Sequence, residues 1–179
     1  LSPLGDGYTR IILVCKKGII IMATWDIHHT SLSVSDAEQS LRFYRDGLGL
    51  KLVGDSTERS QRLAEEVEVP GAYARCLWLE TTEGHSLLEL MVYYEPKGKK
   101  FDLACNDIGA PHVSFLVDDI HEVAERLWGM GYKSTTDVQD VDPSCMENAK
   151  TMYFRDPDGI AVELFEIPAE RKVTKNFHN

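Results

Sequence analysis

The feature that most restricts the fold is a repeat. The stretch His29-Thr-Ser-Leu-Ser-Val-Ser-Asp36 returns later as His112-Val-Ser-Phe-Leu-Val-Asp-Asp119, with a valine five and an aspartate seven residues after each histidine. Period-two alternation predicts a strand in both. Helical apolar spacing follows in each: Leu41, Phe43, Tyr44 and Leu48 in the first copy, Ile120 to Trp128 in the second. Glycines close the predicted helices at Gly47-Leu-Gly49 and Gly129-Met-Gly131. Ser35 with Glu38 reads as a capping box at the start of the first helix.

Further strands are predicted at 51–53, at Leu77-Trp78-Leu79 and over 87–92, the last two flanking a Glu83-Gly84 turn. The charged stretch 56–69 reads as a helical turn or a mobile loop. In the second copy, 151–154 and 160–165 read as strands around the turn Asp156-Pro-Asp-Gly159. Each half therefore spells strand, helix and three strands. An internal repeat this short is expected to have its halves complete one another's sheet. The expected fold class is α+β: two βαβββ modules forming a curved mixed sheet around a central metal site. The expected organisation is an N-terminal extension over 1–21, a first module over 22–95, a linker over 96–110, a second module over 111–168 and a tail over 169–179. Lys16-Lys17-Gly18 interrupts the apolar run of the extension, which rules against a secretory signal, and Met22 is the expected natural start.

Charge and cysteine usage narrow the function. With Lys+Arg 19 against Asp+Glu 29, the net charge is −10, which disfavours binding to phosphate backbones. No apolar run reaches the roughly 18 residues of a membrane span. Cys15, Cys76, Cys105 and Cys145 form no C-x-x-C pair, which disfavours a disulfide scaffold or a thiolate zinc site. A reduced, cytoplasmic setting is expected.

Each copy also carries a histidine in its first strand and a glutamate in its last: His29 with Glu89, and His112 with Glu163. A carboxylate in an apolar strand needs a cation or a strong hydrogen-bond network. Two imidazoles and two carboxylates suit zinc, nickel, cobalt, manganese or ferrous iron. His28 is an adjacent competitor, but alternation points it to the opposite face of the strand. Trp78, Trp128, Phe115 and Phe165 read as core or pocket wall; His85 and His121 read as exposed, and His178 lies in the tail.

The combination His29-Thr-x-Leu-x-Val, Ser40-x-x-Phe43-Tyr44, Leu48-Gly49-Leu50, Pro111-His112-Val-x-Phe-x-Val-Asp and Asp156-Pro-Asp-Gly-x-x-x-Glu163 resembles the vicinal oxygen chelate superfamily over roughly residues 27–167. This is the group of glyoxalase I, bleomycin-resistance proteins and extradiol dioxygenases. The resemblance implies metal ligands at His29, Glu89, His112 and Glu163. It implies a divalent metal that chelates substrate oxygens and a carboxylate that moves a proton alpha to a carbonyl. Glu163 is the preferred base and Glu89 the alternative. It also implies a small-molecule substrate. Open sheet edges in such modules invite pairing, so a homodimer is expected.

Glutathione-dependent relatives carry arginines where this chain has Ser33 and Ile108. Other readings are a methylmalonyl-CoA-epimerase-like isomerase using Lys97, Lys99 and Lys100 for phosphate, an extradiol dioxygenase using His29, His112, Glu163 and Tyr153, and a metal-free binding protein. Pro143–Ala149 lacks the histidine that ring cleavage requires.

Overall fold

The computed structural model describes residues 27–82 and 86–168. The expected extension over 1–21, the Glu83-Gly84 turn, His85, and the tail with His178 lie outside the described residues.

The first repeat unit begins with β1 (His29–Ser33), α1 (Ala37–Leu41) and β2 (Lys51–Arg59). It continues through α2 (Gln61–Glu66), β3 (Tyr73–Glu80) and β4 (Leu87–Glu95). The second runs through β5 (His112–Leu116), α3 (Ile120–Gly129), β6 (Gln139–Asp140), α4 (Pro143–Met146), β7 (Lys150–Arg155) and β8 (Ala161–Glu166). The strands make two four-stranded mixed sheets, ordered β1-β4-β3-β2 and β5-β8-β7-β6. In each, the first strand runs parallel to the last, and the other pairings are antiparallel. The α+β class and the duplicated mixed-sheet modules agree with the sequence. The eight strands are divided between two sheets with β1 and β5 at their edges. No helix among the described residues is long and apolar enough to cross a membrane.

The repeated aspartate has a physical reason. Asp36 and Asp119 are the N-caps of α1 and α3, accepting from Gln39 N and from His121 N and Glu122 N respectively. Ser35, the expected cap, instead donates its backbone N–H to Asp158 Oδ2 at 2.7 Å. Beyond Leu41, α1 widens into a π-helical turn, Arg42–Gly47, in which Leu48 N reaches Phe43 O. That turn buries Phe43 and Tyr44 completely. The charged stretch 56–69 is ordered as the end of β2 and α2, with Ser60 as cap.

A core shared by both modules joins Leu32, Phe43, Tyr44, Leu88 and Leu90 to Leu127, Phe154, Val162 and Leu164. Burying such a side chain contributes about 1.5–3 kcal/mol. The helices lie at the junction. Phe43 meets Tyr132 edge-on at 4.8 Å, and Arg42 donates to the carbonyl of Met130 at the end of α3. A Cβ at Gly47 would stand 2.6 Å from Leu127 Cδ2, so glycine permits the close approach of α3. Trp128, read as core or pocket wall from the sequence, is 44% exposed, while Phe115 packs on the core.

Candidate functional site

Strand alternation sorts the side chains by face. In β4, Leu88, Leu90 and Val92 enter the shared core, so Glu89 points away from it. In β8, Val162 and Leu164 enter the core and Glu163 points away. The same rule puts His29 and Ser31, and His112 and Ser114, on those outward faces.

Register then brings equivalent groups together. Ser31 is opposite Glu89, and Ser114 opposite Glu163. On the other side, Trp78 is opposite Glu89 and Tyr153 opposite Glu163. Each glutamate is thus flanked by a histidine strand and an aromatic strand. The histidine lies close by in both modules, with His29 Nε2 3.9 Å from Glu89 Oε2 and His112 Nε2 3.1 Å from Glu163 Oε2. Trp78 stands edge-on to His29 at 5.0 Å, and Tyr153 is tilted against His112 at 5.6 Å.

The two pairs differ in how firmly the carboxylate is held. Thr151 Oγ1 donates to Glu163 Oε1 at 2.6 Å. Burial pushes the Glu163 carboxyl up. Hydrogen bonds from Thr151, Ser114, His112 and Tyr153 outweigh that, so it stays below the usual glutamate value. The Tyr153 phenol is pushed up to about 12 by burial and by the charge of Glu163. At Glu89 the donor is the Cys76 thiol at 3.1 Å. Burial and the adjacent carboxylate push that thiol up to about 12, so it remains protonated and donates weakly.

The structure therefore brings His29 to Glu89 and His112 to Glu163. Among the described residues of one chain, no three histidine, cysteine, aspartate or glutamate side chains gather as a metal-binding group. The shared core explains this, because each pair lies on the side of its sheet turned away from that core.

His28 differs from its expected position. The strand starts at His29, so alternation does not govern His28, and its ring packs beside that of His29 with Trp78 near both. Cys76 and Thr151 carried no site role in the sequence reading. Their signal was the period-two spacing that sets Cys76 two residues before Trp78 and Thr151 two before Tyr153.

Comparison with known proteins decides the family. Residues 26–164 match the family described as the Glyoxalase/Bleomycin resistance protein/Dioxygenase superfamily. The chain belongs to this superfamily. It is 28% identical to a lactoylglutathione lyase of Haemophilus influenzae, over 78% of this chain and 91% of the relative. It is 22% identical to a 2-epi-5-epi-valiolone epimerase of an Actinomyces species, over 80% of each chain. A glyoxalase family protein from Bacillus cereus superposes with a TM-score of 0.71 at 22% identity, covering 80% of this chain and 95% of that one. That likeness shows the glyoxalase-superfamily fold, and the curated relatives support an enzyme role within the superfamily.

Proposed function

We propose that the chain is a divalent-metal-dependent lyase or isomerase of the glyoxalase type. Its substrate is a small carbonyl compound with neighbouring oxygens, and its reaction moves a proton at the carbon beside the carbonyl. The observation that carries this reading is the duplicated His–Glu pair, placed by equivalent register on outward sheet faces.

The donor set fits the metal. His29, Glu89, His112 and Glu163 would together hold zinc, nickel, cobalt, manganese or ferrous iron with two nitrogens and two carboxylates. A metal so bound supplies Lewis-acid stabilisation of the oxyanion that forms as the proton leaves. Because the pairs lie apart within one chain, the reading places the working centre between two copies, the His29–Glu89 pair of one beside the His112–Glu163 pair of its partner. Both histidines lie on β1 and β5, which are edge strands of their sheets among the described residues, and edge strands can pair with a second chain.

A base needs a lone pair that strong donors have not claimed. Glu163 is fastened by hydroxyls on both neighbouring strands, whereas Glu89 receives a weak thiol donor and stands 3.9 Å from His29. This favours Glu89 as the carboxylate that takes and returns the proton, and Glu163 as the fixed ligand, the reverse of the sequence preference. Ser31 and Ser114 flank the carboxylates as polar groups able to orient substrate oxygens.

Similarity to an epimerase supports a second reading, in which the proton returns to the carbon it left. Within that reading, Lys100 is already engaged by Asp158 Oδ1 at 3.3 Å and by the carbonyl of Pro157, which weakens its case as a phosphate ligand.

The test is turnover of hemithioacetal, acyl-CoA and catechol panels by metal-loaded protein, with Glu89→Gln and Glu163→Gln beside the wild type. The reading expects hemithioacetal turnover, Glu89→Gln inactive with metal retained, and Glu163→Gln depleted of metal. Turnover confined to catechols, or full activity in both variants, would overturn it.

A further inference from the structure

His28 and His29 place their Nδ1 atoms 2.8 Å apart. The rings meet edge-on at 5.1 Å, and Trp78 stands 6.4 Å from His28 and 5.0 Å from His29, so the indole backs both imidazoles. Nitrogens this close share one proton, one ring donating and the other accepting. The direction of that bond decides what the other side of His29 can do. Its Nε2 is the atom facing Glu89. If His28 were the donor, the proton of neutral His29 would sit on Nε2, and no lone pair would face the carboxylate. If His29 donates from Nδ1, its Nε2 lone pair is free on the side of Glu89.

We propose that His28 is a positioning residue: its Nδ1 accepts the Nδ1–H of His29 and so holds the His29 Nε2 lone pair toward a cation shared with Glu89. The assignment rests on reading the His29–Glu89 pair as half of a metal centre. It follows the general rule that a ligating histidine is fixed in tautomer and orientation by the partner of its other nitrogen. The repeat does not supply this group twice. The residue before His112 is Pro111, which has no side-chain acceptor. The first module carries a support for its histidine that the second lacks, and its carboxylate is the more loosely held of the two.

Two variants separate acceptor from shape. His28→Leu fills a similar volume without an acceptor. His28→Asn sets an amide oxygen at the topological position of Nδ1. Nitrogen-15 histidine spectra of metal-free protein, with the His29 signals identified by their loss in His29→Asn, report the tautomer directly. Zinc affinity by chelator competition reports the consequence. His29 is expected as the Nδ1–H tautomer in the wild type and in His28→Asn, and shifted toward Nε2–H in His28→Leu. Zinc binding is expected to weaken on the order of 10–100-fold in His28→Leu and to recover most of that loss in His28→Asn. A wild-type His29 found mainly as Nε2–H, or His28→Leu binding zinc as tightly as wild type, would overturn the proposal. Failure of the wild type to bind zinc at all would overturn the metal reading instead, and the metal-free spectra would still judge the His28–His29 bond.

Discussion

The Tyr44 hydroxyl donates to Oδ2 of Asp156 at 2.9 Å, tying the helix of the first module to the turn of the second. Both side chains are buried, and Asp156 Oδ1 also accepts from Asp158 N and Ile160 N, which closes the Asp156-Pro-Asp-Gly159 turn. Burial, then the charge of Asp156, raises the Tyr44 phenol well above its ordinary value of 10.0. A raised folded-state value means that Tyr44 contributes its full stability below about pH 10 and loses it as the pH climbs through the folded value. Tyr44→Phe removes one donor from a buried carboxylate and is expected to cost about 1–3 kcal/mol near neutral pH. That deficit should narrow above about pH 10, where the wild type loses the contribution and the variant has none to lose. Urea unfolding of both proteins at neutral and alkaline pH measures it. A deficit that stays constant across that range would contradict the account.

Asp36 and Asp119 occupy the same place in the repeat and cap the two main helices. Asp36→Ala and Asp119→Ala should each destabilise by about 1 kcal/mol, with the double variant near the sum because the caps serve different helices. Thermal or urea unfolding reads this directly. Ser35→Ala, at the position the sequence favoured as cap, should cost less, since its contact with Asp158 is made by backbone N–H.

Thr151 is the short hydroxyl contact to Glu163, and Thr151→Val keeps its shape without the donor. Metal affinity is expected to fall about tenfold, with Thr151→Ser close to wild type. Chelator competition measures the loss. Unchanged affinity in Thr151→Val would show that the remaining donors hold Glu163 without it.

Much of the fold was legible because it is repeated. The His-to-Asp octets predicted β1 and β5, and glycines marked where both helices end. The π-helical turn at Arg42–Gly47, which buries Phe43 and Tyr44 in the shared core, was not readable, because its apolar spacing is that of a regular helix. The length of β2 was missed because Gly54 and Asp55 have low strand preference and the charged stretch from Ser56 on suggested a helical turn or loop. Their pairing with Trp78, Leu77 and Cys76 overrides that local preference. At the site, the two histidines and two glutamates were visible as residues out of place in apolar strands. Their grouping into two separate pairs was not, because it depends on which sheet faces the shared core covers. The place of His28 was misjudged because alternation was extended one residue beyond the start of the strand.

In the proposed working centre, the His29–Glu89 pair of one chain and the His112–Glu163 pair of another hold one metal between them. The most direct measurement is the metal content of a heterodimer purified by two tags from co-produced His29→Ala and His112→Ala chains. The claim predicts that each variant alone is depleted of metal and that the heterodimer regains it at one of its two sites. A metal-free heterodimer, formed as readily as the wild-type dimer, would contradict it.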